Sequence, residues 1–351
     1  MGTLGTPNDP EISRIEVKGD ILSPRSTPAA ATLGRFIYLF GGGYDDYLGQ
    51  AVTVYNDTYA FDTQAGEMTR LDPSGDLPSP RFFSAGAGDE DRNDFYVFGG
   101  SAYDHGFANL RVFGDLYRYS VAGNSWSLAA PAEVGPGPRV RPNLWVHAGA
   151  IYAFGGLDER FRNHNDLWRF DLDQRRWELV VGDSDDVEPR YEAVSGNTSR
   201  DGRVYAIGGE TMRSGFRPTL IPGTIEIDLE SGAIRPVTID RADDVSGGMR
   251  HQSAAGEIGG ELYVYGGDDP HNKVMGCGAP FGQSPVGETW VFSPDTETWR
   301  RSPVQGPKLK RSVASVASGR MHVFGGYDFE CDDGIGPGQI WNTDVIVISP
   351  R

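Results

Sequence analysis

The stretch Ile37-Tyr38-Leu39-Phe40-Gly41-Gly42 decides how the chain is read, because it returns five more times. The copies are Phe95-Tyr96-Val97-Phe98-Gly99-Gly100, Ile151-Tyr152-Ala153-Phe154-Gly155-Gly156, Val204-Tyr205-Ala206-Ile207-Gly208-Gly209, Leu262-Tyr263-Val264-Tyr265-Gly266-Gly267 and Met321-His322-Val323-Phe324-Gly325-Gly326. Spacings of 53 to 59 residues separate them. A short apolar run with alternating faces reads as a strand, and a glycine pair at its end supplies positive φ and close backbone approach at a crowded turn. Each copy has the same sequel: a variable loop, then a third strand near Thr58, Leu116, Leu167, Ile225, Thr289 and Val345. A fourth strand follows, marked in the first five copies by Met68, Trp126, Trp177, Ile234 and Trp299. The repeat therefore predicts an all-β ring of six four-stranded sheets occupying residues 1–351 as a single domain.

The sixth sheet reaches Ile346-Val347-Ile348 after only three strands. Its fourth is expected from the other end of the chain. Glu11-Ile12-Ser13-Arg14-Ile15, Gly19-Asp20 and Ser23-Pro24-Arg25 match Glu67-Met68-Thr69-Arg70-Leu71, Gly75-Asp76 and Ser79-Pro80-Arg81 at a constant offset of 56 residues. Residues 11–17 are thus predicted to complete the last sheet and remove its open edge.

On these residues the chain resembles the Kelch-repeat β-propellers, with the resemblance covering essentially residues 12–348. It implies six blades around a central channel. Among Kelch-type propellers, the plant specifier proteins that redirect glucosinolate breakdown are similar in blade count, length and N-terminal closure. That likeness implies ferrous iron held by a Glu-x3-Asp-x3-His run just after a glycine pair. Here Gly266-Gly267 is followed by Asp268-Asp269-Pro270-His271, so only the first position is matched and the histidine spacing differs. A divalent metal on Asp268 and His271 remains a possible cofactor, and none is required. Copper radical oxidases of the galactose-oxidase kind are also similar in fold, but they need a Tyr-Cys cross-link and paired histidine ligands, and a ligand from an added domain that this sequence does not carry.

Composition narrows the partners. The 351 residues carry 49 acidic and 32 basic side chains, a net charge of −17, which opposes nucleic-acid phosphates and anionic membranes. Neither is an expected partner. No apolar run is long enough to cross a bilayer and no secretory leader pattern opens the chain, so the expected location is cytoplasmic. Two cysteines, Cys277 and Cys331, form no disulfide framework and fit a reducing compartment. They fall in corresponding loops of adjacent repeats, where they either face one another or are unrelated.

Two families of loops open on one face of such a ring. The loops into the first strands place Arg25, Arg81, Arg139, Arg190, Arg250 and Arg311 at what reads as one repeat position. Either each guanidinium satisfies carbonyls and a neighbouring carboxylate, or some are left to clamp an anion at the channel mouth. The loops after the glycine pairs are longer than ordinary connections and rich in titratable groups. They supply Tyr44, Tyr103, Asp104, His105, His164 and His271 as candidate acids and bases. His147, His251 and His322 sit inside strand patterns and read as core residues.

Two functions compete. One is a non-redox small-molecule enzyme of the lyase, isomerase or cyclase type, acting on an anionic or polar molecule in the central pocket. The other is a protein-interaction module that takes an acidic peptide or a partner protein.

Overall fold

The structure is a computed structural model that describes residues 9–46, 51–196, 201–214, 217–237, 251–269, 277, 282–332 and 335–351. Six antiparallel sheets form the blades of a propeller. Blade one runs outward through Ala29–Leu33, Phe36–Phe40, Thr58–Asp62 and Glu67–Leu71. Blades two, three and five repeat that order. In blade four the described strands are Arg203–Ile207, Thr224–Asp228 and Ile234–Val237, with the innermost position reduced to a bridge between Val194 and Ile207.

Blade six closes as the sequence predicts. Glu11–Ile15 lies antiparallel to Val345–Ser349, pairing Glu11 with Ser349 and Ile15 with Val345. Arg14 is ion-paired to Asp344 across this seam. The strand stops at Ile15, short of residue 17, and Lys18–Gly19 instead pairs with Glu67–Leu71 of blade one.

The core is a set of inter-blade layers. Second-strand residues such as Ile37, Val97 and Val264 are fully enclosed. The outer tryptophans seal these layers against the preceding blade. Trp126 of blade two stacks edge-on to Phe40 at 4.9 Å and donates to Thr58 Oγ1 at 3.0 Å, both in blade one. Trp177 of blade three likewise meets Phe98 of blade two at 5.6 Å. A side chain of that area contributes roughly 1.5–3 kcal/mol by leaving water.

The glycine pairs stitch one blade to the next. Gly41 has φ +65°, and a Cβ there would lie 2.6 Å from the Arg81 carbonyl oxygen. Gly42 donates its N–H to that same carbonyl at 2.9 Å. Any side chain would part the blades. Near the axis the first strands are rich in alanine and glycine for the same steric reason: a Cβ on Gly86 would lie 2.8 Å from the Ala30 backbone nitrogen.

Among the described residues no helix is long and apolar enough to cross a membrane. Cys277 and Cys331 form a disulfide, with 5.9 Å between their Cα atoms. It joins the blade-five loop to the blade-six hairpin, and the cysteine usage therefore no longer supports a reducing compartment.

Candidate active site at the channel mouth

The arginine column is structural. Arg25 and Arg81 are almost fully enclosed, and each guanidinium grips the carboxylate of its own blade's third strand, Asp57 and Asp115 respectively. Each also donates to a glycine carbonyl, Gly41 or Gly99, and lies over an aromatic ring, Tyr55 or Phe113. Arg139 donates to Asp166 at 2.9 Å. In blade four Gly223 stands where blades one to three carry aspartate, so among the described residues Arg190 holds the Glu188 and Gly208 carbonyls and no carboxylate. Burial lowers its pKa to about 10. These side chains run into the blades and do not converge on the mouth. Arg250 lies outside the described residues.

Arg311 belongs to a different position. The N–H of each second glycine bonds the carbonyl of the next blade's column residue: Gly42 to Arg81, Gly100 to Arg139, Gly156 to Arg190 and Gly326 to Arg25. In blade six that acceptor is Leu309, bonded by Gly267. Arg311 is two residues further on, in register with Thr27, Phe83, Arg141, Glu192 and Gln252.

Those six residues ring the axis. All are left-handed, with φ between 49° and 61°, a conformation that costs a non-glycine residue about 1 kcal/mol or more unless its surroundings impose it. Backbone hydrogen bonds impose it here, running from blade to blade: Thr27 to the Arg311 carbonyl, Phe83 to Thr27, Arg141 to Phe83, Glu192 to Arg141 and Arg311 to Gln252. The ring holds six side chains at the mouth with little freedom.

Just outside it, each blade pairs the residue after its column position with the residue after its glycine pair through an isolated β-bridge. In blades one to three these pairs are Ser26 with Gly43, Phe82 with Ser101, and Val140 with Leu157. In blades four to six they are Tyr191 with Glu210, His251 with Asp268, and Lys310 with Tyr327. One half of the mouth is small or apolar, and the other half is ionisable.

The ionisable half forms a connected belt. Tyr191 donates to Glu210 Oε2 at 2.7 Å. His251 Nε2 sits 3.5 Å from Glu210 Oε1 and 4.0 Å from Asp268 Oδ2. Lys310 Nζ reaches Asp268 Oδ2 at 2.9 Å and Gln283 Oε1 at 2.8 Å. Across the mouth, Arg141 is ion-paired to Glu192, while Arg311 and Tyr103 both contact Asp45, the latter donating at 2.8 Å. The guanidinium carbons of Arg141 and Arg311 lie 4.2 and 5.6 Å from the Phe83 ring centre. Arg141 Nη2, Arg311 Nε and Gln252 Oε1 are enclosed without a hydrogen-bond partner among the described residues.

Together these groups wall a cleft of about 460 Å³, with Phe107, Pro218 and Leu220 on its apolar flank. That size suits a small molecule. Burial pushes Glu192 up to about 7, against the pull of Arg141 and with help from the Glu210 carboxylate. Burial also lowers Lys310 despite Asp268, and raises Tyr103 and Tyr191, each reinforced by its carboxylate acceptor.

Of the acids and bases expected from the loops, Tyr103 lines this cleft. Tyr44 instead packs on Trp341 at 5.1 Å. Asp104 and His105 are exposed on the blade-two hairpin, where Asp104 accepts from Asn109. His164 contacts Asp183 at 2.8 Å and Asp158 at 3.4 Å in blade three. His271 lies outside the described residues. Asp268 has its oxygens engaged by Lys310 and by the Ser284 N–H, so this carboxylate does not present itself as an iron ligand. His164, Asp166 and Asp183 come within metal-ligating distance of one another, but Asp166 is already taken by Arg139 and Trp168. His251, expected in the core, is a wall of the site.

Comparison with known proteins accords with this architecture. The KLHDC2/KLHL20/DRC7 Kelch-repeats domain matches residues 4–209, and the Kelch motif matches residues 249–303. Kelch domain-containing protein 3 of Homo sapiens is 28% identical over 168 residues, 47% of this chain and 42% of that protein. This chain thus matches less than half the length of that relative. N-(sulfonatooxy)prop-2-enimidothioate sulfolyase of Thlaspi arvense is 25% identical over 328 residues, 86% of each chain. Multiple epidermal growth factor-like domains protein 8 of Rattus norvegicus is 27% identical over 245 residues, 66% of this chain and 8% of that protein. With a family match across more than half its length and glycine-paired blades throughout, the chain belongs to the Kelch-repeat family.

Proposed function

We propose that the mouth cleft is the active site of a non-redox enzyme of the lyase or isomerase type, acting on a small organic anion. The observation that carries this reading is the meeting, in one cleft, of enclosed guanidinium nitrogens on Arg141 and Arg311 that have no partner among the described residues with an enclosed carboxyl group, Glu192, whose pKa burial raises to about 7. Guanidinium donors in a desolvated cleft are suited to an oxyanion, and a carboxyl poised near neutrality is suited to proton transfer. Phe83, Phe107 and Leu220 would receive the apolar part of the substrate.

Charge counting gives the two groups a common logic. With His251 neutral, Arg141, Lys310 and Arg311 face Asp45, Glu192, Glu210 and Asp268, three cations against four carboxylates, so the lining balances when Glu192 holds a proton. An arriving anion therefore favours protonated Glu192. The substrate would bring its own general acid into readiness, and Glu192 would deliver that proton to the departing oxyanion.

The relative that spans both chains is named for a sulfonatooxy substrate, a small anion of this class. N-(sulfonatooxy)prop-2-enimidothioate is accordingly the first compound to supply, with sulfate release measured above the buffer rate. Glu192→Gln should lose about 10²-fold or more in turnover. It should still bind inorganic sulfate, and without the weakening that the wild type suffers as pH rises through about 7. Unchanged turnover in this variant would overturn the assignment.

A second reading rests on the blade-two hairpin, where Phe107 and Leu110 stand exposed beside the cleft. An acidic peptide or a partner protein laid across that rim would use the same arginines without any chemistry. Stoichiometric peptide binding that survives Glu192→Gln, with no turnover of small anions, would favour it.

A further inference from the structure

A second cleft of about 340 Å³ opens between blades two and three, among the turns of the face opposite the mouth. Its floor is Tyr96, Phe170 and Leu172, and its rim carries Arg92, Arg118 and Arg175. We propose that it is a separate binding site for a small molecule with a flat apolar body and one oxyanion group, a carboxylate or a phosphate.

The three guanidinium groups differ in how they are held. Arg118 gives Nε to the enclosed carboxylate of Asp94 at 2.7 Å. That contact fixes the fork, while Nη1 and Nη2 make no hydrogen bond to any described residue. A planar fork anchored at one edge presents its other edge for a two-point grip on an oxyanion. Arg92 is held by Asp89 at 3.0 Å and bridges to Asp173 of blade three at 2.6 Å. Asp173 is largely exposed, and an exposed pair of this kind contributes only about 0–1 kcal/mol, so a ligand can replace it on Arg92. Arg175 sits on a left-handed turn residue, with a single 3.4 Å contact to the Leu128 carbonyl. It can swing over an occupant.

The floor explains the apolar body. Tyr96 and Phe170 are buried beneath the cleft, and Leu172 and Ala129 are packed against the same layer. An aromatic ring lying there would exchange water for the half-exposed Leu172 and Ala129 surfaces over that layer while its anion met the arginines. None of these residues takes part in the mouth, so the two sites are independent.

Benzoate and phenyl phosphate are the probes, with inorganic phosphate as the anion lacking a body. Saturation-transfer NMR on the full chain should report benzoate or phenyl phosphate binding with Kd of about 1 mM or tighter. In the background of the mouth variant Arg141→Gln, which takes the first site out of the measurement, binding should persist and should weaken several-fold when Arg118→Gln or Arg175→Gln is added. Inorganic phosphate should bind more weakly than phenyl phosphate. Arg175 is exposed at a turn, so that variant decides the matter should loss of the Asp94 partner unfold Arg118→Gln. The proposal is overturned if neither aromatic anion binds Arg141→Gln in that range, or if adding Arg175→Gln to it leaves binding unchanged.

Discussion

Two arginines separated by sixty residues, Arg81 and Arg141, show how position within one repeat divides structure from chemistry. Arg81 is enclosed and spends its guanidinium on Asp115, two carbonyls and an aromatic face. Replacing it with alanine leaves that carboxylate and a glycine carbonyl without their partner, and we expect a loss of about 3 kcal/mol or more, read from urea midpoints. Arg141→Gln should instead remove anion binding at the mouth. Glu192 gives a sharper signature. A carboxyl whose pKa rises from 4.5 to about 7 on folding binds protons more tightly in the native state. Its contribution is therefore most favourable at low pH and diminishes as pH climbs through that window, the reverse of a salt-bridged carboxylate with a depressed pKa. Wild-type stability should decline relative to Glu192→Gln between about pH 5 and about pH 8. Equal slopes for the two proteins would refute the raised pKa.

At the scale of elements, two seams hold the ring closed. The first is the five-residue strand Glu11–Ile15 on Val345–Ser349. Deleting residues 1–16 should expose an apolar edge and produce concentration-dependent aggregation, measured by light scattering. A monomeric, equally stable product would mean that the closing strand is dispensable. The second seam is the Cys277–Cys331 bond, which ties together the two arms that supply Gln283 and Tyr327 around Lys310. Cys331→Ser, or the wild type under reductant, should unfold at a lower temperature, and reductant should lower the variant no further. What could be read from the chain follows the same division. The blades and the closing strand were legible because Gly-Gly and the constant offset recur in phase. The mouth was not. Its chemistry sits on positions that vary from blade to blade, such as Val140, Tyr191, His251 and Lys310, and an absence of pattern carries no period to find. Leu309 interrupts the arginine column two residues before Arg311, which is why Arg311 was aligned with a position it does not occupy. Aligning blades on the glycine-to-carbonyl bond, which sequence alone does not display, corrects the register and brings Lys310 and Glu192 into view.

At the scale of the whole molecule, the small anion proposed as ligand meets repulsion at long range. A net charge of −17 surrounds a mouth whose lining, with His251 neutral and Glu192 protonated, carries no net charge, so no positive funnel offsets the acidic exterior. An anionic substrate is repelled until it reaches the guanidinium groups themselves. The screening length shrinks from about 30 Å at 0.01 M salt to about 10 Å at 0.1 M, which removes the distant repulsion but spares contacts inside the cleft. For a small anion, kcat/KM or the association rate should therefore rise over that range when the added salt has a bulky anion that does not enter the cleft. A steep fall instead would mean that Arg141 and Arg311 project enough field to steer the substrate, and that Glu192 carries its proton well above neutral pH. The sign of one salt dependence thus reports on the protonation of a single buried carboxyl group.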